Sequence, residues 1–153
     1  MRVVLLAVLA AQISAPAPTP GHALVTSAPA EVSGEAGKKL ALFVDVAPKP
    51  GIHVYAPGAK DYIAVSLKLT PQPGVKAGKV AFPKSEVMFF EALNEHVPVF
   101  QKAFRITQDV TLDRSAKAGS TVITSGTLNY QACDDKVCYP PESSPVSWIV
   151  TVK

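Results

Sequence analysis

Apolar and polar residues alternate with period two through most of the chain beyond Lys38. In "KLALFVDVAP" the side chains of Leu40, Leu42, Val44 and Val46 fall on one face. "AVSLKLTP" sets Val65, Leu67 and Leu69 against Ser66, Lys68 and Thr70, and "GKVAFP" offers Val80 and Phe82. "AFRITQ" offers Phe104 and Ile106, "GTLNYQA" offers Leu128 and Tyr130, and "PVSWIVTVK" offers Val146, Trp148, Val150 and Val152. Strict alternation over short windows predicts half-buried strands. The breaks carry Pro, Gly and Asp, as in "PKPG", "PGAKD", "PQPG" and "KAGS". One turn signal in roughly every ten residues is the spacing of an antiparallel sandwich. No helical stripe of convincing length and no internal repeat interrupts it.

One stretch departs from the rule. "SEVMFFEALNEHVPVFQ", Ser85 to Gln101, is aromatic but alternates poorly. A short helix, an irregular loop and a bulged strand all fit it. The pattern favours core for Phe89 or Phe90 and loop for Asn94 to Pro98. A long connection of this kind is either a core crossing or a functional loop.

Composition narrows the class. The 153 residues suit one domain, and a hydrophobic share of 48% supplies a core. Charged residues are 18%, too few for a solvated disordered chain. The net charge of +3 is spread without a basic run, so nucleic acid is not an expected partner. Fourteen prolines and nine glycines, scattered along the chain, oppose long helices.

The start, "MRVVLLAVLAAQISAPAPTPGHA", has Arg2, then an unbroken apolar run from Val3 to Ala11, then small residues and prolines. The run is too short for a bilayer core of about 30 Å. It fits the hydrophobic region of a secretory signal peptide. Cleavage after Ala23 is expected, with positions near Ala15 or Ala17 as the alternative. Residues 1–23 are thus assigned to a signal peptide, 24–35 to an approach segment and 36–153 to the sandwich. The processed protein is expected to be exported and not membrane-spanning.

Both cysteines lie in "YQACDDKVCYPP", with four residues between them. In an exported protein a disulfide can persist. A ring this short restricts the unfolded chain little, about 2 kcal/mol against roughly 4 to 5 for a hundred-residue ring, so it is a weak staple. Short rings are also often exchangeable. A zinc site needs four ligands, and neither His53 nor His96 stands at ligand spacing from a cysteine. A hydrolase would need one activated thiol with a base, which a neighbouring thiol would trap. Spacing alone leaves an inert bridge and a redox pair open. No cofactor and no metal are expected.

The residues around the cysteines say more. "YQACDDKVCYPPE" resembles the cysteine motif of the N-terminal periplasmic domain of the thiol:disulfide interchange protein DsbD. "KPGIHVYAP" is similar to that family's upstream segment, and the order agrees. The resemblance runs from about Gly34 to Lys153. It implies an all-β, immunoglobulin-like antiparallel β-sandwich in which Cys133 and Cys138 exchange electrons. The implied donor is a thioredoxin-like domain or membrane electron carrier, and the implied acceptors are oxidised periplasmic proteins. It also implies a cap over the pair, for which Glu91 to Phe100 is best placed, with Phe90 or Phe100 against the sulfurs. Cys138 is the expected partner-facing sulfur. Tyr55 and Tyr130 are candidate walls of the site, with sandwich core as the plainer role for Tyr130.

Overall fold

A computed structural model describes residues 21–153. The assigned signal peptide lies outside the described residues up to position 20. The alternating segments form strands because each can bury one face while its backbone pairs with a neighbour. One sheet holds β1 (Ala23–Ser27), β3 (Lys39–Pro48), β9 (Phe104–Leu112) and β6 (Val75–Ala81), antiparallel in the order β1-β3-β9-β6. The second holds β2 (Glu31–Gly34), β12 (Glu142–Val152), β10 (Thr121–Tyr130) and β5 (Ser66–Leu69), ordered β2-β12-β10-β5. Only β2 pairs in parallel within it, against β12.

The two inner faces close on one apolar cluster. The first sheet contributes Leu42, Val44, Val46, Ile106 and Val110, and the second contributes Leu128, Tyr130, Trp148 and Val150, all 0% exposed. Full burial of such side chains stabilises by about 1.5–3 kcal/mol each. Trp148 keeps its polar atom satisfied: Nε1 donates to the Phe43 carbonyl of the opposite sheet at 3.1 Å. The result is an immunoglobulin-like β-sandwich.

A third, smaller sheet carries the cysteines. It contains β4 (His53–Tyr55), β7 (Glu86–Phe90), β8 (Glu95–Phe100) and β11 (Ala132–Cys133), antiparallel in the order β11-β4-β8-β7. Gly51, at φ 77°, turns the chain into β4, a conformation glycine adopts without a Cβ clash.

Two sequence expectations change here. Residues 24–35, taken as an approach segment, contain most of β1 and all of β2, each hydrogen-bonded into a main sheet. Their small residues hid a strand pattern that neighbours complete. The poorly alternating Ser85 to Gln101 stretch forms the β7–β8 hairpin, turned by a 3-10 segment, Glu91–Leu93, and by Asn94 at φ 52°. The strand resumes at Glu95, so the expected loop to Pro98 is confined to Asn94. Phe89 is 46% exposed instead of core, while Phe90 is half-buried. No helix among the described residues is long and apolar enough to cross a membrane.

Candidate redox site

Alternation along β4 builds the floor of the site. Val54, 0% exposed, points into the main core. His53 and Tyr55 point to the opposite face, as period two requires. On β11, Ala132 pairs with Val54 and Cys133 pairs with His53. Cys133, Tyr55, Val97 and Val99 thus form a second buried cluster, with Ala59, Tyr62, Met88 and Phe90 packed against it.

Cys133 and Cys138 are joined by a disulfide, with their Cα atoms 4.0 Å apart. The two sulfurs have unlike surroundings: Cys133 is 1% exposed, whereas Cys138 is exposed. The ring between them is held as a turn by Asp134. Its Oδ1 accepts from the backbone N–H of Lys136 at 2.7 Å and of Val137 at 2.8 Å, and its Oδ2 accepts from the Tyr139 hydroxyl at 2.7 Å. These donors hold the carboxyl down to about 2, the Tyr139 bond first among them. The Asp134 N–H donates to the Val137 carbonyl at 2.9 Å, and the Tyr139 N–H to Ala132 at 2.9 Å.

Tyr55 touches both sulfurs. Its hydroxyl lies 3.3 Å from Cys133 Sγ and 3.4 Å from Cys138 Sγ. Disulfide sulfurs carry no hydrogen, so the phenol is the donor. Burial raises the Tyr55 pKa and keeps the proton on it. Tyr55 stacks on Tyr62 with centroids 4.3 Å apart, and the Tyr62 hydroxyl donates to Glu95 of β8 at 2.9 Å. That bond pushes Tyr62 up to about 12. His53 meets Tyr55 edge-on at 5.5 Å and Phe90 at 5.6 Å. Burial lowers the His53 pKa, with Asp135 and Asp134 pulling the other way.

The candidate residues divide between two places. Cys133, Cys138, Tyr55 and Phe90 come together on the outer face of the small sheet. Phe100 faces the other way, into the main core, 4% exposed and stacked on Phe104 at 3.9 Å. Pairing with Val54 puts it on the inward face. Tyr130 is also main core, its hydroxyl donating to Glu142 at 2.7 Å. Glu142 in turn accepts the His22 backbone N–H at 3.0 Å and contacts the His22 ring, which stacks on Tyr139 at 3.8 Å. His22, expected to leave with the signal peptide, therefore packs beside the cysteine ring.

Three residues of the site escaped the sequence reading. Tyr62 lies in an irregular segment with no periodicity to place it. Asp134 is a turn former that the spacing of the two cysteines does not reveal. His53 was weighed only as a metal ligand, although "HVY" alternation puts it on the face of Tyr55. Among the described residues, no group of three or more His, Cys, Asp or Glu side chains is arranged to hold a metal ion.

Residues 22–147 match the family described as "Thiol:disulfide interchange protein DsbD, N-terminal". Among solved structures, the N-terminal periplasmic domain of ScsB from Proteus mirabilis superposes with a TM-score of 0.58 at 14% identity. The match covers 87% of this chain and 48% of that one, so the chain spans about half the length of that structure. At this identity the likeness shows the fold. A family 123 glycoside hydrolase from Clostridium perfringens, at TM-score 0.36 and 11% identity over 80% of this chain and 22% of that one, is too distant to add to it. No curated protein sequence matches the chain.

Proposed function

From the premise that this chain belongs to the family of the DsbD N-terminal domain, a thiol:disulfide interchange family, we propose that it relays electrons through Cys133 and Cys138. The donor is a thioredoxin-like protein or a membrane electron carrier. The acceptors are oxidised exported proteins. The observation that carries this reading is the asymmetry of the disulfide: Cys138 is an exposed residue, whereas Cys133 is buried among aromatic side chains.

In the charging direction, a donor thiolate attacks Cys138 Sγ. The Cys133–Cys138 bond breaks, Cys133 leaves with the electron pair, and a donor–Cys138 mixed disulfide forms. The donor's second thiolate then attacks its own sulfur in that bond and releases reduced Cys138. In the discharging direction, the Cys138 thiolate attacks an acceptor disulfide, and Cys133 resolves the mixed disulfide. Two electrons move in each direction and no cofactor enters. The β7–β8 hairpin is the cap, and Phe90 is its contact to the site. It keeps small oxidants from the buried sulfur.

Export belongs to the same proposal. The apolar run from Val3 to Ala11 is its support. The intact mass of the exported protein gives the cleavage point. A mass retaining His22 keeps the Tyr139 stack, and cleavage after Ala23 removes it.

The deciding experiment has two arms. Titration against glutathione and dithiothreitol should show reversible reduction of the folded protein. Cys133→Ser, which leaves Cys138 unable to be resolved, should trap mixed disulfides in periplasm. A bridge that resists reduction to well below about −300 mV, the range of inert structural disulfides, would overturn the relay.

A further inference from the structure

His53 stands directly across the β4–β11 ladder from Cys133 and is 2% exposed. Residues opposite one another on antiparallel strands share a face, with Cβ atoms about 4.5–5.5 Å apart. Its Nε2 has no hydrogen-bond partner. A buried polar atom left unpaired costs about 1–3 kcal/mol, and such an atom calls for a reason. The ring also lines a cavity of about 210 Å³ with Gly51, Ile52, Met88, Gln101 and Asp135.

Exchange creates a proton problem at this spot. When a partner thiolate attacks Cys138, Cys133 departs as a buried thiolate, a form that burial disfavours. A proton must therefore reach Cys133 Sγ, and must leave again before Cys133 can attack a mixed disulfide. Tyr55 cannot take that proton, since its hydroxyl already carries one. Asp134 is committed to the turn by three hydrogen bonds.

We propose that His53 is the acid–base partner of Cys133. The neutral imidazole takes the Cys133 thiol proton as Cys133 attacks the mixed disulfide at Cys138. The products are the intramolecular disulfide, the partner's thiolate and an imidazolium. The imidazolium then loses its proton to water through the cavity beside Asp135. In the other direction the imidazolium protonates the departing Cys133 thiolate. The titratable groups facing the ring are Tyr55 on its own strand, Cys133 opposite, and Asp134 and Asp135 after β11. From β7 it meets Phe90 and Met88, and from the end of β8 Gln101, none of which titrates. Burial keeps the resting imidazole neutral, ready to act as a base, while the two carboxylates keep protonation within reach.

The inference rests on the relay reading, and the test separates the two. Reduced protein is mixed with dithiobis-nitrobenzoate. The first thionitrobenzoate released marks the mixed disulfide at Cys138, and the second marks attack by Cys133. In the wild type the second phase should accelerate with pH through the imidazole range. In His53→Gln it should be slower at pH 7 by about a hundredfold, the scale of general-base assistance, with its profile moved to the thiol range. A His53→Gln protein with the wild-type rate and profile would overturn the inference and leave the relay intact. A wild type that forms no mixed disulfide overturns both. Should His53→Gln not fold, ring titration of wild-type His53 by NMR decides: an inflection in the reduced protein, absent from the oxidised one, supports coupling to Cys133, and identical curves overturn it.

Discussion

One phenol, Tyr55, lies within hydrogen-bond distance of both sulfurs, 3.3 Å from Cys133 Sγ and 3.4 Å from Cys138 Sγ. It is also the point where the cysteine ring and the β7–β8 hairpin meet, through Tyr62 and Glu95. A donor there favours a thiolate more than a neutral disulfide, because hydrogen bonds to charged groups are about twice as strong. Tyr55→Phe should therefore raise the thiolate pKa of the reduced pair. Alkylation of reduced protein by iodoacetamide at pH 7 should slow by about tenfold, equivalent to roughly 1.4 kcal/mol. An unchanged rate would mean that the phenol serves packing alone.

Phe90 and Phe100 should behave oppositely. Phe90 is half-buried over the cysteine cluster, so Phe90→Ala should speed reduction of the disulfide by a small thiol with a modest change in melting temperature. Phe100 is main core, and Phe100→Ala should cost about 3–5 kcal/mol without a specific effect on exchange. Reduction rates set beside melting curves check both, and a Phe90→Ala rate equal to wild type would end the cap reading.

Removing the bridge should matter little to folding. A ring of six residues stabilises by about 2 kcal/mol in the chain-entropy treatment. The double variant Cys133→Ser/Cys138→Ser should unfold at a lower denaturant midpoint with an unchanged slope. A variant that does not fold would make the disulfide a staple.

Asp134 should govern the order of the ring. Asp134→Ala removes the acceptor of the Lys136 and Val137 amides, and their hydrogen exchange should quicken while that of β10 and β12 does not. Because the folded carboxyl is held down to about 2, below its ordinary range near 3.9, this contribution is fully present above that range. It should be lost as pH falls toward 2, and amide protection followed through an acid titration measures it.

His53 should give the fold an acid-side sensitivity. Its folded pKa lies below the ordinary 6.5, so just below that pH the unfolded chain binds a proton that the folded chain refuses. Stability should fall as pH drops through and below about 6.5, and His53→Gln should flatten that part of the profile. Denaturant melts between pH 8 and 5 test it.

Most strands of the sandwich could be read from the chain because alternation is a local property: Leu42, Val44 and Val46 announce a buried face without knowledge of what covers it. The cysteine motif was equally local, and the resemblance it carries named the family. The hairpin was not legible. Phe89 and Phe90 look alike in sequence, and only pairing with β8 turns one outward and the other toward the cluster that holds Cys133. Phe100 was misplaced for the same reason, since its register against Val54 assigns it to the main core.

By itself, then, the sequence determined a β-sandwich and a paired set of cysteines, both written in neighbouring residues. Tertiary structure alone decided that Cys133 is buried and Cys138 exposed, that one tyrosine reaches both sulfurs, and that a buried histidine stands across the β4–β11 ladder from Cys133. Those relationships join residues some eighty positions apart, Tyr55 and His53 with Cys133 and Cys138. They follow from how β11 and β8 flank β4, and no local pattern encodes such pairing.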